Sequence, residues 1–366
     1  MASLVTGIGY IGARLVEMLL DAGENVVGMD NLFSTDPSVL HRLAERPGFL
    51  FREGDVAEEA AVRKTFASGV PIDTVYHLAA QASAHPSAAP IRYSEESNLI
   101  GPRVVLERAC EAGVSTFIFG GSIQVYGRRV VGKIEESTPY GPILDIAHLS
   151  KAYVEKLMEM FAHTRGLRCV SARLALVYGV SPVMKTDPRF MTAPNKFCRQ
   201  AALGEPLRVD ATAFHPTSMI HVDDACRGLM ALARWQREGY TPVNLVGETA
   251  SVAQVAILVQ RLAARRGLEV QLSLPEQRPS TAECSFASTL AKDGFAPKIS
   301  LDEGLGQVLD HFVAGPDPGE RRAGACPPPP GVRDAGPGGR AQGPALHPTH
   351  SPHPVNVPEG EGGDHQ

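Results

Sequence analysis

Three glycines near the amino terminus have the type and spacing that a phosphate site requires. Gly7, Gly9 and Gly12 lie in "LVTGIGYIGARL", between a predicted strand and a predicted helix. Glycine lets the backbone turn tightly and approach a diphosphate, because no Cβ stands in the way. The following helix directs its free N–H groups and the positive end of its dipole at such an anion. The loop therefore predicts a site for a phosphate-bearing ligand.

An acidic residue at the next strand end makes this prediction more specific. Asp30 follows Gly12 by 18 residues, which is where a carboxylate accepts the ribose hydroxyls of a dinucleotide. Its charge would repel the 2′-phosphate of NADP, and the adjoining "NLFST" offers no Arg or Lys to compensate. The sequence thus predicts NAD as the cofactor rather than NADP.

A second group with chemical potential is the lysine of "DIAHLSKAYVEKL", residues 145–157. The apolar residues of this stretch recur at three- and four-residue spacing, which predicts a helix: Ile146, Leu149, Tyr153, Leu157. Lys151 lies four residues after Ala147 and four before Glu155, so all three occupy one side of that helix. The question is what Lys151 does, and why the residue one turn earlier carries no functional group.

Composition excludes several classes of protein. The 366 residues carry a net charge of −5 and no basic run, so nothing predicts a nucleic-acid partner. "MASLVTGIGYIG" lacks the features of a signal peptide, and no apolar run reaches membrane-spanning length. Six cysteines without CxxC spacing indicate reduced thiols in a cytoplasmic protein, with neither a metal site nor a disulfide framework.

The elements that must position these residues alternate between strand and helix. Strands are predicted at 3–7, 25–31, 49–55, 74–80, 115–122 and 168–179. Helices are predicted at 11–23, 58–68, 97–112 and 147–165. Such alternation is typical of an α/β fold with a parallel sheet covered on both faces. We expect a doubly wound sheet of the Rossmann type.

The pattern becomes less regular after about residue 180. Helices are predicted at 194–204, 223–236 and 251–267, with short strands at 207–210 and 242–247. We expect an NAD-binding domain over 1–175, to which some later segments return, and a smaller, mainly substrate-binding lobe over 176–312. Residues 313–366 are rich in Pro and Gly and predict a disordered tail. Its four histidines are read as part of a solvated segment.

Five further motifs, taken together, resemble those of one family. They occur in order along the chain: "EGDVAE", "DTVYHLAAQAS" at 73–83, "FIFGGSIQVYG" at 117–127, "LSKAYVEKL", and "MIHVDDACRGL" at 219–229. Over about residues 2–312 the chain resembles the extended short-chain dehydrogenase/reductase family, the NAD-dependent epimerases and dehydratases of nucleotide sugars. The resemblance implies an NAD-dependent enzyme with an oxidoreductase fold. Such an enzyme would act on a small hydroxylated substrate as an epimerase (an isomerase), a dehydratase (a lyase) or a dehydrogenase.

The resemblance also implies roles for individual residues. Ser122 falls at the active-site serine, and Lys151 at the lysine that grips the nicotinamide ribose. An ammonium there would position the cofactor and lower the pKa of a neighbouring acid. The implied cofactor-binding set is Gly7, Gly9, Tyr10, Ile11, Gly12, Asp30, Asn31, Asp55, Val56, Leu78, Ala79, Ala80 and Lys151.

One position departs from the family at the centre of its mechanism. The family has a tyrosine four residues before the lysine, which moves the hydroxyl proton; here that residue is Ala147. A methyl group cannot transfer a proton. Candidate replacements are His148, Tyr126, Tyr140 and Lys151 itself. On a helix, His148 lies about 100° around from residue 147, so we expect it to face elsewhere. Nothing in the sequence selects among the four.

Two further departures affect the substrate. Where the family has an asparagine that contacts the substrate, this chain has Leu176. Where the family commonly has an arginine that binds a nucleotide diphosphate, this chain has Thr217. The glycine loop is also one residue shorter than in the family. Four polar residues of the segment after "LVYG" are expected on the substrate side, where they either bind an anionic group or are solvated: Lys185, Arg189, Asn195 and Lys196.

Several other expectations concern support and assembly. Arg173 is expected to support the floor of the pocket. His221, Asp223 and Asp224 are read as structural, with Asp223 as a helix N-cap, rather than as a metal site or triad. The resemblance implies a homodimer through helices 97–112 and 147–165.

Two classes of function therefore remain. The first is an NAD-dependent epimerase, dehydratase or dehydrogenase with substituted acid/base chemistry. The second is a catalytically impaired NAD-binding protein with a sensing or scaffolding role, because function resides in the site and not in the fold.

Overall fold

Strands and helices alternate through the chain much as its sequence predicts. A computed structural model describes residues 2–35, 37–83, 87–275 and 283–315. The strands are β1 (Ala2–Thr6), β2 (Asn25–Asp30), β3 (Phe49–Glu53), β4 (Ile72–His77), β5 (Thr116–Ser122), β6 (Gly132–Ile134), β7 (Arg168–Leu174), β8 (Leu176–Tyr178), β9 (Leu207–Arg208), β10 (Pro216–His221), β11 (Tyr240–Leu245), β12 (Glu248–Ser251), β13 (Leu272–Ser273) and β14 (Cys284–Phe286).

The helices complete the alternation. They are α1 (Tyr10–Asp21), α2 (Pro37–Ala44), α3 (Glu59–Phe66), α4 (Ile91–Glu95), α5 (Gly101–Glu111), α6 (Ile146–Arg165), α7 (Ala193–Ala202), α8 (Val222–Arg234), α9 (Val252–Arg265) and α10 (Leu301–Ala314). One π-helical turn, Glu96–Ile100, joins α4 to α5, and short 3₁₀ turns occur at Ile123–Tyr126, Ala211–Phe214 and Thr289–Asp293. Among the described residues, no helix combines the length and apolar character that a membrane crossing requires.

Seven parallel strands form the main sheet, in the order β3-β2-β1-β4-β5-β7-β11. The interior strand β1 is buried along its whole length, as a strand covered on both faces must be. Helices α1 and α8 pack together on one face, and α3, α5 and α6 on the other. The predicted doubly wound α/β fold is confirmed. Chain order reverses between β1 and β4, so the carboxyl ends of these strands border the crevice where such sheets bind ligands.

Smaller sheets build the rest of the chain. Strands β12, β10 and β8 form one three-stranded sheet, while β13 pairs with β9 and β14 with β6. A separate apolar core joins α7, α9 and α10. Although β11 follows these elements in sequence, it returns to the edge of the main sheet beside β7. The described residues all lie within one compact unit.

The prediction of a single strand over 168–179 is wrong. The chain leaves the main sheet at Ala175, whose N–H donates to the carbonyl oxygen of Leu245, and continues as β8 beside β10. The apolar run is continuous because both halves are buried, so periodicity could not reveal the break. Helix α10 also extends to Ala314, two residues beyond the predicted boundary at 312. The predicted disordered tail lies outside the described residues from 316 onward.

Candidate active site

A cavity of about 1170 Å³ follows the carboxyl ends of the main strands. Its walls include the glycine loop, the end of β2, the segment after β4, Ser122, the first turns of α6, and the segment between β8 and α7. Ligand pockets for one small molecule measure about 300–1,000 Å³. The cavity is therefore large enough for a dinucleotide with part of a second ligand.

The glycine loop owes its shape to two close contacts. Gly7 has φ +81°, and a Cβ there would lie 2.5 Å from the backbone nitrogen of Ala79. A Cβ on Gly12 would lie 1.9 Å from the carbonyl oxygen of Gly7. Gly9 instead borders open cavity, with the Lys185 ammonium 3.9 Å from its Cβ position. Helix α1 begins after Gly9 with no side-chain cap and no acidic residue in its first turn. Its amino-terminal N–H groups are thus open to an anion.

Asp30 holds the end of β2 in position at the rim of this loop. Its Oδ2 accepts hydrogen bonds from the Ile8 N–H at 2.6 Å and the Thr35 hydroxyl at 3.2 Å. Its Oδ1 accepts from the N–H of Leu32 at 2.7 Å, a residue held at φ +61°. Burial raises the pKa of the Asp30 carboxyl, although these hydrogen bonds and Lys185 oppose the effect. The carboxylate is therefore fixed at the cavity wall.

Two aromatic residues that sequence analysis missed complete this end of the cavity. Phe33 and Tyr93 stack with ring centroids 4.2 Å apart, and both line the wall. Asn31 donates from Nδ2 to Asp55 Oδ2 at 2.7 Å and to the Tyr93 hydroxyl at 3.1 Å. Asp55 thus positions Asn31, while its neighbour Val56 lines the cavity directly. The sequence signal for the two rings is weak, since Tyr93 lies 60 residues after Phe33.

The predicted residues Leu78, Ala79 and Ala80 line the middle of the cavity. The segment that follows them is fixed by Asn98, in the π-helical turn: its side chain accepts from the Gln81 N–H at 2.8 Å and donates to the Gln81 carbonyl at 2.9 Å. Such turns often occur beside functional sites. Here the turn fixes one wall.

Lys151 and Ser122 lie in the same wall, as the resemblance implies. The Lys151 ammonium donates to the Gly120 carbonyl at 2.7 Å and lies 4.6 Å from the centre of the Phe119 ring. Burial lowers the pKa of Lys151 to about 8, partly opposed by the negative charge of Glu155. The Ser122 hydroxyl accepts from the Gln124 N–H at 3.2 Å, so it caps the 3₁₀ turn as well as facing the cavity.

Beneath Lys151 lies a buried neutral histidine. Burial, and secondarily the charge of Lys151, lowers the pKa of His77 to about 3. Its Nδ1 lies 2.8 Å from the Thr6 hydroxyl, and its ring stacks near Phe117 and Phe119. At neutral pH this histidine adds no charge to the floor of the site.

Ala147 lines the cavity beside Ser122 and Lys151, where a tyrosine would stand in the family it resembles. His148 lines the same cavity, contrary to the expectation that it faces elsewhere. The reason is local: Asp145 caps α6, and its Oδ2 lies 2.7 Å from His148 Nδ1. This contact holds the imidazole at the amino-terminal end of the helix instead of along its side.

The two candidate tyrosines are engaged elsewhere. The Tyr126 hydroxyl donates to Asn244 Oδ1 at 2.7 Å and accepts from Arg173 at 2.7 Å. The Tyr140 hydroxyl donates to Glu155 Oε2 at 2.8 Å. These contacts bind both hydroxyls into a buried network, whose centre is the Arg173–Glu155 ion pair at 2.6 Å. Arg173 thus supports the wall behind Lys151.

At the substrate end, the segment between β8 and α7 divides its polar residues between two tasks. Asn195 is buried: its Oδ1 accepts from the Gly179 N–H at 3.1 Å, and its Nδ2 donates to the Tyr10 hydroxyl at 3.0 Å. Lys185 reaches the glycine loop, where it donates to the Ser34 hydroxyl at 3.0 Å. Arg189 lines the cavity and pairs with Asp187. The segment therefore spans the cofactor end as well as the substrate end.

The structure also places the other residues singled out in the sequence. Leu176 and Thr217 both line the cavity. His221, and not Asp223, is the N-cap of α8, because its ring accepts the Asp223 N–H at 3.2 Å. Asp223 instead pairs with Arg14 at 2.7 Å. Asp224 is buried and accepts from the N–H of Lys298 at 2.8 Å. Within the described residues, no cluster of His, Cys, Asp or Glu suits a metal ion.

Known proteins of one family are similar to this chain. Residues 3–246 match the model of the NAD dependent epimerase/dehydratase family. UDP-glucose 4-epimerase of Pasteurella multocida is 30% identical over 311 residues, covering 80% of this chain and 91% of that protein.

Solved structures agree. The crystal structure of Thermotoga maritima UDP-glucose 4-epimerase with UDP-glucose has a TM-score of 0.74 and 28% identity, covering 85% of this chain and 98% of its own. That of Thermus thermophilus UDP-glucose 4-epimerase with NAD has a TM-score of 0.70 and 26% identity, covering 86% and 100%.

Proposed function

The chain belongs to the NAD-dependent epimerase/dehydratase family, and we propose that it is an enzyme that acts on a sugar nucleotide or a related hydroxylated sugar. The observation that carries this proposal is the shared cavity. The glycine loop, Asp30 and the pair Ser122 and Lys151 line one cavity. Two of the similar solved structures hold a UDP-sugar, UDP-glucose in one and UDP-glucuronic acid in the other.

NAD fits the residues that are present. The contacts of Gly7 and Gly12 leave no room for side chains, and the open side of Gly9 faces the amino terminus of α1. We propose that the diphosphate lies there and that Asp30 accepts hydrogen bonds from the adenosine ribose. Asn31, Asp55 and Val56 would surround the adenine, with Phe33 and Tyr93 as its apolar wall. Tyr10, Ile11, Leu78, Ala79 and Ala80 would line the remainder.

Lys185 adds a charge to this cradle. Its ammonium is 3.9 Å from the Cβ position of Gly9, and its contact with Ser34 spans the mouth of the loop. An ammonium about 4 Å from a phosphate oxygen attracts it by about 1–2 kcal/mol at a partly exposed site, where water and salt screen the charges. We therefore assign Lys185 to the cofactor end, although sequence analysis placed it on the substrate side.

At the reacting end, this chain supplies positioning and proton handling. Bound NAD would supply the oxidising group that removes a hydride from a secondary alcohol. Lys151 would donate to the nicotinamide ribose, and its charge would favour loss of a nearby hydroxyl proton. Ser122 would donate a hydrogen bond to the reacting oxygen. Ala147 contributes no proton-transfer group.

A direct assay tests this function. The purified protein is analysed by mass spectrometry for bound dinucleotide, then incubated with UDP-sugars and free sugars while epimerised, dehydrated or oxidised products and reduced nicotinamide are followed. We expect turnover that Lys151→Ala abolishes. Lys156→Ala is the matched control, because this lysine lies on the same helix with 64% of its side chain exposed. Turnover that survives Lys151→Ala would contradict the assigned role.

The second candidate is a catalytically impaired NAD-binding protein with a sensing or scaffolding role. The observation that favours it is the loss of polar groups at Ala147 and Leu176, which both line the substrate end. It predicts NAD binding without turnover of any sugar, unchanged by Ala147→Tyr. Turnover in the unmodified protein excludes it.

The proposed function also extends to the oligomeric state of the protein and to the parts of the chain that bind NAD and substrate. Apolar side chains on α6 are exposed, with Leu149 at 53%, Tyr153 at 41% and Met160 at 50%. We propose that α5 and α6 form the interface of a homodimer, and that residues 1–175 with β11 hold NAD while most of 176–312 holds the substrate. Analytical ultracentrifugation should give a dimer, which Leu149→Glu with Met160→Glu converts to monomer.

A further inference from the structure

The substrate end lacks the hydroxyl that would move a proton, because Ala147 lines the wall where a tyrosine would stand. Oxidation of an alcohol at this position still requires a group that accepts the hydroxyl proton. We propose that His148, oriented by Asp145, is that group. This inference rests on the proposed function.

The Asp145–His148 pair has the geometry of a general base and its positioning residue. Asp145 Oδ1 accepts the backbone N–H of His148 at 2.9 Å, and its Oδ2 accepts from the Nδ1–H of the ring at 2.7 Å. Because a carboxylate only accepts hydrogen bonds, Nδ1 carries the proton and Nε2 is the basic nitrogen. The ring is partly buried, with 21% of the side chain exposed, and it lines the cavity next to Ala147.

The charges around the pair keep Asp145 ionised. Burial raises the pKa of the Asp145 carboxyl, but the hydrogen bonds from His148 and Arg128 outweigh it and leave the pKa below its usual value. The Arg128 guanidinium donates to Oδ2 at 2.7 Å, so the carboxylate is fixed from two sides. The other cations along this wall are Lys151 and Arg129. An ionised carboxylate stabilises the imidazolium that forms when Nε2 takes up a proton.

The proton transfer balances with the residues present. The O–H bond of the substrate alcohol would break as an Nε2–H bond forms on His148. Bound NAD would supply the oxidant that accepts, as hydride, the hydrogen of the carbon that carries this hydroxyl. A carbonyl group results. When the carbonyl is reduced again, the Nε2–H returns its proton to the oxygen. The Nδ1–H remains with Asp145 throughout.

The competing groups are less suited to this step. Tyr126 and Tyr140 each donate their hydroxyl proton to a buried partner, Asn244 and Glu155 respectively. Lys151 donates to the Gly120 carbonyl, which engages its ammonium group. His148 combines cavity exposure with a fixed, basic ring nitrogen.

Turnover of variants tests the inference. We expect His148→Ala to lower kcat about 10²- to 10⁴-fold, the usual contribution of a general base, with NAD content and KM little changed. Added imidazole should restore part of the lost kcat, which a purely structural role would not allow. Asp145→Asn should lower kcat less. His163→Gln, an exposed histidine of the same helix, is the matched control and should retain full activity.

A second variant keeps the test independent of local folding. Ala147→Tyr, introduced into His148→Ala, restores a hydroxyl one residue away and should raise kcat well above that of the single variant. If the wild-type protein turns over a substrate and His148→Ala retains its kcat, with at most a change in KM, the inference fails while the proposed function stands. If NAD-loaded wild-type protein turns over no substrate, both fail.

Discussion

The buried ion pair behind the site gives the prediction with the best-defined magnitude. Glu155 is fully buried and Arg173 is 3% exposed, and their side chains meet at 2.6 Å. Glu155 also accepts hydrogen bonds from the Ser171 and Tyr140 hydroxyls, both at 2.8 Å. Glu155→Leu removes the charge and leaves a buried guanidinium and two hydroxyls without their acceptor.

Breaking a buried pair from one side costs about 3–5 kcal/mol, which is about a 100- to 4,000-fold change in the unfolding equilibrium. We expect this loss in the free energy of urea-induced unfolding, followed by circular dichroism. Replacing both partners, as Glu155→Leu with Arg173→Met, should recover most of it, because the desolvated charges are then both absent.

An exposed pair on the same helix supplies the control. Glu159 pairs with Lys156, and 53% of its side chain is exposed. Glu159→Leu should therefore change the unfolding free energy by less than about 1 kcal/mol. If Glu155→Leu stays within that same range, the ion pair does not hold the wall behind Lys151 and the reasoning is wrong.

Three other predictions concern the cofactor end. Lys185→Met should weaken NAD binding about 5- to 30-fold and reduce its salt dependence in calorimetry, whereas Lys196→Met, outside the cavity lining, should do neither. Gly7→Ala should abolish NAD binding and lower the melting temperature, because its Cβ would lie 2.5 Å from backbone; Gly23→Ala has a similar φ but nothing within 4 Å and should cost only backbone strain, about 1 kcal/mol. The pKa of Lys151 is lowered to about 8 in the folded protein and stays near 10.4 in the unfolded chain. The free energy of unfolding of the NAD-free protein should therefore rise between about pH 8 and pH 10, by about 1–3 kcal/mol relative to that of Lys151→Met. A difference between the two proteins that does not change with pH would contradict this.

Sequence reasoning succeeded where a residue acts through its immediate neighbours. The need for glycine at positions 7 and 12 could be predicted, because the loop and the helix that follows it are contiguous in sequence, and the structure leaves no room for a Cβ at either. Periodicity predicted a helix over 147–165, which the structure has at Ile146–Arg165, and the alternation of strands and helices predicted the parallel sheet. These features depend on local backbone geometry, which the order of residues specifies directly.

The failures involve contacts between distant segments or cap geometry. Lys185 reaches a loop whose residues precede it by more than 170 positions, and no local pattern records that approach. His148 faces the cavity because Asp145 holds its ring, which an ideal helical projection ignores. The break at Ala175 and the cap by His221 likewise depend on which strand or N–H group lies nearby in space.

The buried charges of the site bear on whether the protein is catalytically active, because holding them costs folding free energy. Asp30 and Lys151 are partly or largely withdrawn from water, and burial shifts the pKa of each toward its neutral form. Each charge is therefore held at a cost in folding free energy. The hydrogen bonds that Asp30 accepts from the Ile8 and Leu32 N–H groups, and the one that Lys151 donates to the Gly120 carbonyl, recover part of that cost. A bound dinucleotide would offset more of it, because its ribose hydroxyls can pair with both an acceptor and a donor. At the other end, Ala147 and Leu176 are apolar where the family has polar residues, and Thr217 is uncharged where the family has an arginine. A site that keeps its costly charges at the cofactor end while changing its substrate end is expected of an enzyme with altered chemistry, and binding of NAD with turnover dependent on His148 is the result that would establish it.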